Sequence, residues 1–306
     1  MSLARNFITW LAARRAFTRT LAGTGMRLGF ARRFIAGETL EDALGSAVDL
    51  NARGLLVVMN HLGENIRDGK DAEESYGSYT EILRQLSQRK IDGAITIKPT
   101  QLALELDFDL CKRLTLRLVE EAASLGRMVE IDMEHSSATE ATVSLYEHVR
   151  ASHENVGLAV QSYLFRTAAD LARLERWKPK IRLVKGAYLE PHDIAFAEKR
   201  QVDENYVALM RILFAGSFFP AIGTHDEALL ARAKELAREH GRGPDDWEVQ
   251  MLYGVRRDLQ ESLVREGYRM RVYVTFGTEW VPYFMRRLAE RPANVGFVLR
   301  SILKGR

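Results

Sequence analysis

Short apolar segments alternate with amphipathic ones along most of this chain of 306 residues. The apolar, strand-like runs lie at residues 54–59, 94–97, 128–131, 156–160, 181–184, 218–222, 248–252 and 270–275. Segments with one apolar and one charged face, typical of helices, lie at residues 72–88, 110–125, 138–150, 168–175, 202–214, 227–239, 257–265 and 280–288. Strands that alternate with helices in this way form a parallel sheet. The count predicts an α/β fold, a (βα)8 barrel of the TIM type.

We expect two parts in the chain, an N-terminal helical arm at residues 1–50 and the barrel at residues 51–306. The main alternative is an open, doubly wound sheet. Such a sheet usually carries phosphate-binding glycines in its first strand-to-helix turn, and the turn at residues 59–64 contains no GxGxxG motif. The closed barrel is therefore favoured.

Charge and cysteine content exclude several classes of function. The 44 basic and 41 acidic side chains are interspersed and give a net charge of +3, so no nucleic-acid-binding stripe is expected. Cys111 is the only cysteine, which excludes an intramolecular disulfide and a zinc site built on cysteines. The sequence has no HExxH motif, and we expect no metal.

The first twenty residues combine apolar side chains with Arg14, Arg15 and Arg19. The arginines interrupt the apolar segment, so it fits neither a secretory signal nor a membrane span. An amphipathic helix here would pack on the barrel or touch a membrane surface. We expect a cytoplasmic protein, with peripheral contact at the inner face of the cell membrane as an open alternative.

In a barrel of this type the active site lies at the C-terminal ends of the strands. Polar or aromatic residues occupy those positions: Asn60, Glu64, Lys98, Asp132, Glu134, Gln161, Tyr163, Arg182, Lys185, Tyr188, Thr224, His225, Asp226, Gln250, Tyr253 and Tyr273. Lys98, Asp132, Arg182 and Lys185 lie in or against apolar runs, where an unpaired charge is costly. These four should therefore pair with one another or with a ligand, and their charge favours an anionic ligand. Asp226 is suited to cap the helix that follows it.

Two segments add more specific chemistry. In residues 181–188 an apolar strand ends in Lys185, Gly186 and Tyr188, and the glycine permits a turn or the close approach of a ligand. In the last predicted helix, Tyr283, Arg286, Arg287 and Glu290 are spaced by three and four residues, so much of the set projects to one side. Paired arginines beside a tyrosine can grip a carboxylate with forked hydrogen bonds, although adjacent arginines are usually solvated surface residues.

On these motifs the chain resembles the proline dehydrogenase family, the flavin enzymes of proline catabolism. The resemblance covers residues 40–303 and fits the short, monofunctional bacterial type. It rests on Leu62-Gly63-Glu64, Lys98-Pro99, Asp132-Met133, Gln161-Ser162-Tyr163, residues 182–188, Thr224-His225 and the Tyr283, Arg286, Arg287, Glu290 set.

The resemblance implies a distorted barrel with FAD at the strand ends and a final helix over the barrel mouth. Catalytic roles fall to Arg182, near the N5 and O4 edge of the flavin, and to Asp132, which would orient Lys98 and the flavin surroundings. The proline carboxylate would be bound by Lys98, Arg286 and Arg287, and the walls of the proline site would be Tyr273, Tyr283, Tyr188, Ala187 and Leu252. Contacts to FAD would come from Met133, Gln161, Arg182, Lys185, Gly186, Ala187, Thr224, His225, Glu290 and Arg291. Glu64 would pair with an arginine of the last helix and gate the site.

The implied reaction is hydride transfer from L-proline to flavin N5, which yields Δ1-pyrroline-5-carboxylate and leaves electrons for a quinone. A pyrroline-5-carboxylate dehydrogenase would be the downstream partner. Two other functions stay open on the residues alone. One is a lysine-imine barrel enzyme, an aldolase or a pyridoxal-phosphate enzyme, with Lys185 or Lys98 as nucleophile. The other is a non-catalytic amino-acid-binding module that uses the same cationic pocket.

Overall fold

The computed structural model describes residues 33–63 and 66–280, and within them eight parallel strands close into a barrel in the order β1 to β8. The strands are β1 (Leu56–His61), β2 (Gly93–Ile97), β3 (Val129–Ile131), β4 (Val156–Gln161), β5 (Lys180–Val184), β6 (Phe219–Gly223), β7 (Glu248–Leu252) and β8 (Met270–Phe276). The helices in this part of the chain are α1 (Leu40–Ala52), α2 (Gly69–Gln88), α3 (Phe108–Ser124), α4 (Ser136–Arg150), α5 (Thr167–Leu174), α6 (Lys199–Ala215), α7 (Glu227–Glu239) and α8 (Arg257–Arg265). The predicted (βα)8 barrel is confirmed.

The barrel closes between its first and last strands, where residues 56–61 of β1 pair in parallel with residues 271–276 of β8. Alternation along each strand separates an outer apolar layer from the interior. In β8, Val272 and Val274 join the apolar core under the helices. Tyr273 instead bonds to Asp132, directly after β3. Because β3 and β8 are not neighbours in the sheet, this bond crosses the barrel interior.

Five of the described helices, α2 to α6, begin earlier than predicted, and in α2 and α3 an aspartate caps the earlier start. Helix α2 begins at Gly69, where the Asp68 carboxylate accepts from the backbone N–H of Lys70 and Asp71. Helix α3 begins at Phe108 after Asp107, whose carboxylate accepts from Leu110 N. The predictions at residues 72 and 110 followed apolar periodicity alone and missed these polar first turns.

Helix α1 lies on the outside of β1 and β8. Its start is fixed by a capping box, in which Thr39 Oγ1 accepts from Asp42 N at 3.2 Å and Asp42 Oδ2 accepts from Thr39 N at 3.3 Å. Its apolar face, including Leu44 and Leu50, is buried. The division into an arm at residues 1–50 and a barrel at residues 51–306 stays a prediction, since most of the arm and the helix predicted at residues 280–288 lie outside the described residues.

Within residues 33–63 and 66–280, no helix combines the length and the apolar character needed to cross a bilayer.

Candidate active site

The centre of the candidate site is the carboxylate of Asp132, which directly follows β3. Its Oδ2 accepts a hydrogen bond from Tyr273 Oη at 2.7 Å, and its Oδ1 accepts one from Thr96 Oγ1 at 3.0 Å. Arg182 Nη2 also donates to Oδ1 and forms an ion pair there. Residues from four strand positions thus meet at one carboxylate near the C-terminal end of the barrel. The expected pairing of Arg182 with Asp132 is observed.

Arg182 is a buried cation, with only 4% of its surface exposed. Its guanidinium carbon lies 5.3 Å from the centre of the Tyr273 ring, and Nη2 also donates to Thr96 Oγ1 at 3.3 Å. Burial alone would lower the pKa of Arg182, but the carboxylates of Asp132 and Glu130 outweigh burial and raise it. The barrel mouth therefore contains a permanent positive charge whose orientation is fixed before any ligand binds.

Lys98 follows β2 and precedes a 3-10 turn at Pro99–Leu102. Burial, and next the ammonium of Lys98, lower the pKa of His61 at the end of β1. Burial raises the pKa of Glu134, while hydrogen bonds from Thr100 and the charge of Lys98 partly oppose that rise. In both cases the contribution of Lys98 has the sign of a nearby positive charge, as expected for a site that binds an anion.

The loop after β5 is held closely against Tyr163. Gly186 has a φ of +108°, and a Cβ at this position would lie 2.4 Å from the Tyr163 ring. Tyr163 N donates to Lys185 O at 3.0 Å. Further along the loop, Glu190 accepts from Tyr163 Oη at 3.3 Å and from Ser136 N, at the start of α4, at 2.8 Å. These contacts tie residues 185–190 to the ends of β3 and β4.

Gly186→Ala should therefore displace this loop. Positive φ costs roughly 1–2 kcal/mol for a residue with a Cβ, and the clash with Tyr163 should add about 1–3 kcal/mol. The matched control is Gly126→Ala, where φ is +65° and no atom lies within 4 Å of the added Cβ. Amide hydrogen exchange should increase across residues 185–190 in the first variant only. Equal exchange in the two variants would show that the Tyr163 contact does not hold the loop.

Lys185 is held by two carboxylates. Its Nζ lies 2.5 Å from Asp203 Oδ1 and 3.5 Å from Asp226 Oδ2. Asp226 also caps α7 as expected, accepting from Ala228 N at 3.1 Å. Lys185 thus pairs with carboxylates from the following helices instead of with the other three charged strand-end residues. Asp203 was missed because it lies within the helical pattern of α6.

Four further candidates form two contacts around the mouth. Gln161 Nε2, at the end of β4, donates to Met133 O at 3.2 Å. His225 Nε2 accepts from Leu252 N at 2.9 Å, so this ring nitrogen carries no proton while the bond exists. Thr224 is buried directly before His225. The ends of β3 and β4, and those of β6 and β7, are thereby joined in pairs.

Ala187 and Tyr188 lie in the loop after β5, where the Tyr188 ring meets the His135 ring edge-on at 6.1 Å between centroids. The remaining predicted site residues lie outside the described residues and stay predictions: Glu64, Tyr283, Arg286, Arg287, Glu290 and Arg291.

Several buried polar atoms near the strand ends have no hydrogen-bond partner among the described residues. They are both amide atoms of Asn60, Oε1 of Gln161, Nη1 of Arg182 and Oγ1 of Thr275. Arg182 Nη1 lies 3.2 Å from Glu130 Oε2, close enough for an ion pair but without hydrogen-bond alignment. Buried polar groups are normally satisfied, so these atoms are suited to bind a ligand with several polar edges.

A network of buried charges extends from the candidate site down the barrel interior, and the sequence reasoning missed most of it. Arg271 Nε lies 2.9 Å from Glu248 Oε1, which is 2.7 Å from Lys180 Nζ. Lys180 Nζ is 2.8 Å from Glu130 Oε1, and Glu130 in turn pairs with Arg182. We call this network the charge ladder; its members are Arg271, Glu248, Lys180, Glu130, Arg182 and Asp132.

A usable signal for the ladder was present in the sequence. Glu130 is the middle residue of the short apolar strand β3, and Arg271 and Glu248 lie within or at the start of predicted strands. A charge in such a place must face a partner inside the barrel. Of the six ladder residues, only Asp132 and Arg182 are predicted from the sequence to pair in this way. Burial alone would raise the pKa of Glu130, but Lys180 and Arg182 outweigh it and hold that pKa below its ordinary value.

Comparisons with known proteins identify the family of this chain. The family model described as proline dehydrogenase matches residues 43–300. Proline dehydrogenase 1 of Bacillus subtilis is 37% identical over 302 residues, covering 99% of this chain and all of the relative. Proline dehydrogenase of Deinococcus radiodurans is 36% identical over 280 residues, covering 90% of each chain.

Among solved structures, proline utilization A from Bdellovibrio bacteriovorus matches with a TM-score of 0.80 at 23% identity. The match covers 85% of this chain but only 32% of that longer chain, and it supports the fold. The family match and the two relatives similar over nearly their whole length show that this chain belongs to the proline dehydrogenase family.

Proposed function

We propose that the protein oxidises L-proline to Δ1-pyrroline-5-carboxylate with FAD as its cofactor and a quinone as the electron acceptor, the first step of proline catabolism to glutamate. The observation that carries the proposal is the buried Arg182 fixed by Asp132 at a barrel mouth where other buried polar atoms have no partner among the described residues. The family implies a flavin.

The residues at the mouth fit such a cofactor. A flavin ring presents hydrogen-bond donors and acceptors along its edges, and Gln161 Oε1 is a buried acceptor without a hydrogen-bond partner among the described residues. Gly186 has no side chain and would let the backbone approach a bound ring. We assign the FAD contacts to Met133, Gln161, Arg182, Lys185, Gly186, Ala187, Thr224, His225, Glu290 and Arg291. When bound, FAD supplies the hydride acceptor.

Substrate orientation is the task of a cationic clamp. Lys98, whose charge helps lower the pKa of His61, would bind the proline carboxylate together with Arg286 and Arg287. Tyr273, Tyr283, Tyr188, Ala187 and Leu252 would surround the ring and exclude water. Glu64 would gate the entrance by pairing with an arginine of the final helix.

Arg182 would contribute electrostatically. Its guanidinium is buried and held by Asp132, which Thr96 and Tyr273 also bind. A cation fixed in this way can stabilise negative charge that develops beside it without reorganising during the reaction.

The acceptor and the location remain part of the proposal. We propose that electrons pass to a quinone, that the protein is cytoplasmic, and that it contacts the inner face of the membrane peripherally to reach that quinone. A pyrroline-5-carboxylate dehydrogenase would consume the product.

The proposal is tested by the visible spectrum of the purified protein, loaded with FAD, before and after anaerobic addition of L-proline. The flavin band should bleach. Pyrrolidine is the matched control compound, because it has the ring without the carboxylate; it should bleach the band far more slowly if the clamp orients the substrate. A flavin band that persists in L-proline would contradict the proposal.

Borohydride trapping and a proline-binding assay separate the two other functions from this one. A lysine-imine enzyme would be trapped on its carbonyl substrate by borohydride, and a binding module would bind proline without turnover. Lys185 is poorly suited to imine formation, because its ammonium lies between Asp203 and Asp226.

A further inference from the structure

The barrel interior below the candidate site is ionic. In most barrels of this type, branched apolar side chains fill this space. Here Lys180, Glu248 and Arg271 are each no more than 8% exposed, and Glu130 is 1% exposed. Desolvating charges is expensive, and well-packed apolar side chains would serve stability as well or better. Stability alone therefore does not explain the charge ladder.

The order of charges along the ladder is strictly alternating. Three cations and three anions follow one another from Arg271 up to Asp132, with Glu130 on the interior side of Arg182 and Asp132 at the mouth. Gln250 Nε2 fixes Glu130 by lying 3.1 Å and 3.2 Å from its two carboxylate oxygens. Arg182 is thus the last cation of a fixed electrostatic series instead of an isolated cation.

The buried charges of the ladder affect the electrostatic potential at the barrel mouth with little screening by water or salt. Water and salt weaken interactions between exposed charges, but buried charges keep theirs over several ångströms. The negative charge of Glu130 opposes the positive potential that Arg182 produces at the mouth. Lys180, which pairs with Glu130 at 2.8 Å, partly cancels that opposition.

We infer that Glu130 and Lys180 are positioning residues that act through Arg182 and set, with opposite signs, the reduction potential of the bound flavin. The inference rests on the proposed function. Removing the Glu130 charge makes the mouth more positive and favours the reduced, more negative flavin. Removing the Lys180 charge has the opposite effect. Neither residue needs to touch flavin or proline.

The test is the midpoint potential of the flavin in the FAD-loaded protein, measured anaerobically against a reference dye. Glu130→Gln should shift the equilibrium toward reduced flavin about tenfold, which is about 30 mV for a two-electron couple. Lys180→Met should shift it toward oxidised flavin by a similar factor. The double variant has the same net charge as the wild type, so its midpoint potential should return close to the wild-type value. These opposite signs could not arise from general structural damage.

Glu147→Gln is the matched control, because Glu147 pairs with Arg173 and Arg176 on the outer helices. Its potential should equal that of the wild type. Single variants that shift the potential in the same direction, or not at all, overturn the inference. If neither single variant folds, a double variant whose potential departs tenfold from the wild type also overturns it. If the flavin band of the wild type bleaches with proline but the variants have an unshifted midpoint potential, the proposed function stands and the inference fails. If the wild type binds no flavin, both the proposed function and the inference fail.

Discussion

Glu248→Leu should lower the free energy of unfolding by about 3–5 kcal/mol, because it leaves Arg271 and Lys180 buried without their shared carboxylate. Glu248 is 1% exposed, and its Oε1 lies 2.7 Å from Lys180 Nζ and 2.9 Å from Arg271 Nε. Lys180 keeps Glu130 as a partner at 2.8 Å, whereas Arg271 loses its carboxylate and keeps only the backbone oxygen of Val57, at 2.9 Å, among the described contacts. Urea unfolding of the flavin-free protein measures the effect without the added stability of a ligand.

The control for Glu248→Leu is Glu147→Leu on the outer surface. Glu147 also pairs with two cations, but Arg173 and Arg176 are 37% and 65% exposed and can be solvated when it is removed. We expect a loss of about 0–1 kcal/mol there. Equal losses in the two variants would show that the buried pairs are not coupled as the distances indicate.

The pH dependence of Glu248→Leu has a defined sign. Burial alone would raise the pKa of Glu248, but Lys180 and Arg271 outweigh it and lower that pKa. Such a carboxylate contributes fully to the free energy of unfolding above the ordinary glutamate pKa of about 4.3. That contribution is lost as the pH falls toward the lowered pKa of the folded state. The stability difference between wild type and variant should therefore be constant near neutrality and shrink below about pH 4.

The barrel could be predicted from the sequence because its physical cause is local. A buried strand of a parallel barrel is mostly apolar even where single charges face the interior, and a helix on the outside must be amphipathic, so the alternation is visible in the residues themselves. Helix starts were less predictable, since the caps at Asp68 and Asp107 are single polar residues outside the apolar period.

Candidate site residues could be named from the sequence, but the contacts among them could not. Asp132, Arg182 and Tyr273 could be selected because each lies at or near a strand end. The local sequence does not show that Arg182 and Tyr273 both donate to the Asp132 carboxylate. The contacts of Glu190 with Ser136 and Tyr163 join loops far apart in sequence, and they depend on the closure of the barrel. Long-range pairings of this kind follow from strand order and register.

Arg182→Met should slow bleaching of the flavin by saturating L-proline about 100- to 1000-fold, the loss expected when one fixed electrostatic donor is removed from a reaction site. Arg182 is the cation nearest to Asp132 among the described contacts, and it is buried at the barrel mouth. The rate constant is measured by rapid anaerobic mixing, at FAD and proline concentrations that saturate each variant. Weaker binding then does not enter the comparison.

In the same experiment, Arg182→Lys separates the effect of the positive charge from the effect of the guanidinium geometry. Lysine keeps the positive charge, but its single ammonium cannot reproduce the planar fork that reaches Asp132, Thr96 and Glu130 together. We expect an intermediate loss of rate, because charge alone stabilises the transition state less well when its position is not fixed. If Arg182→Met bleached within threefold of the wild type, Arg182 would serve only to neutralise Asp132 and Glu130, and the electrostatic role would pass to another cation at the mouth.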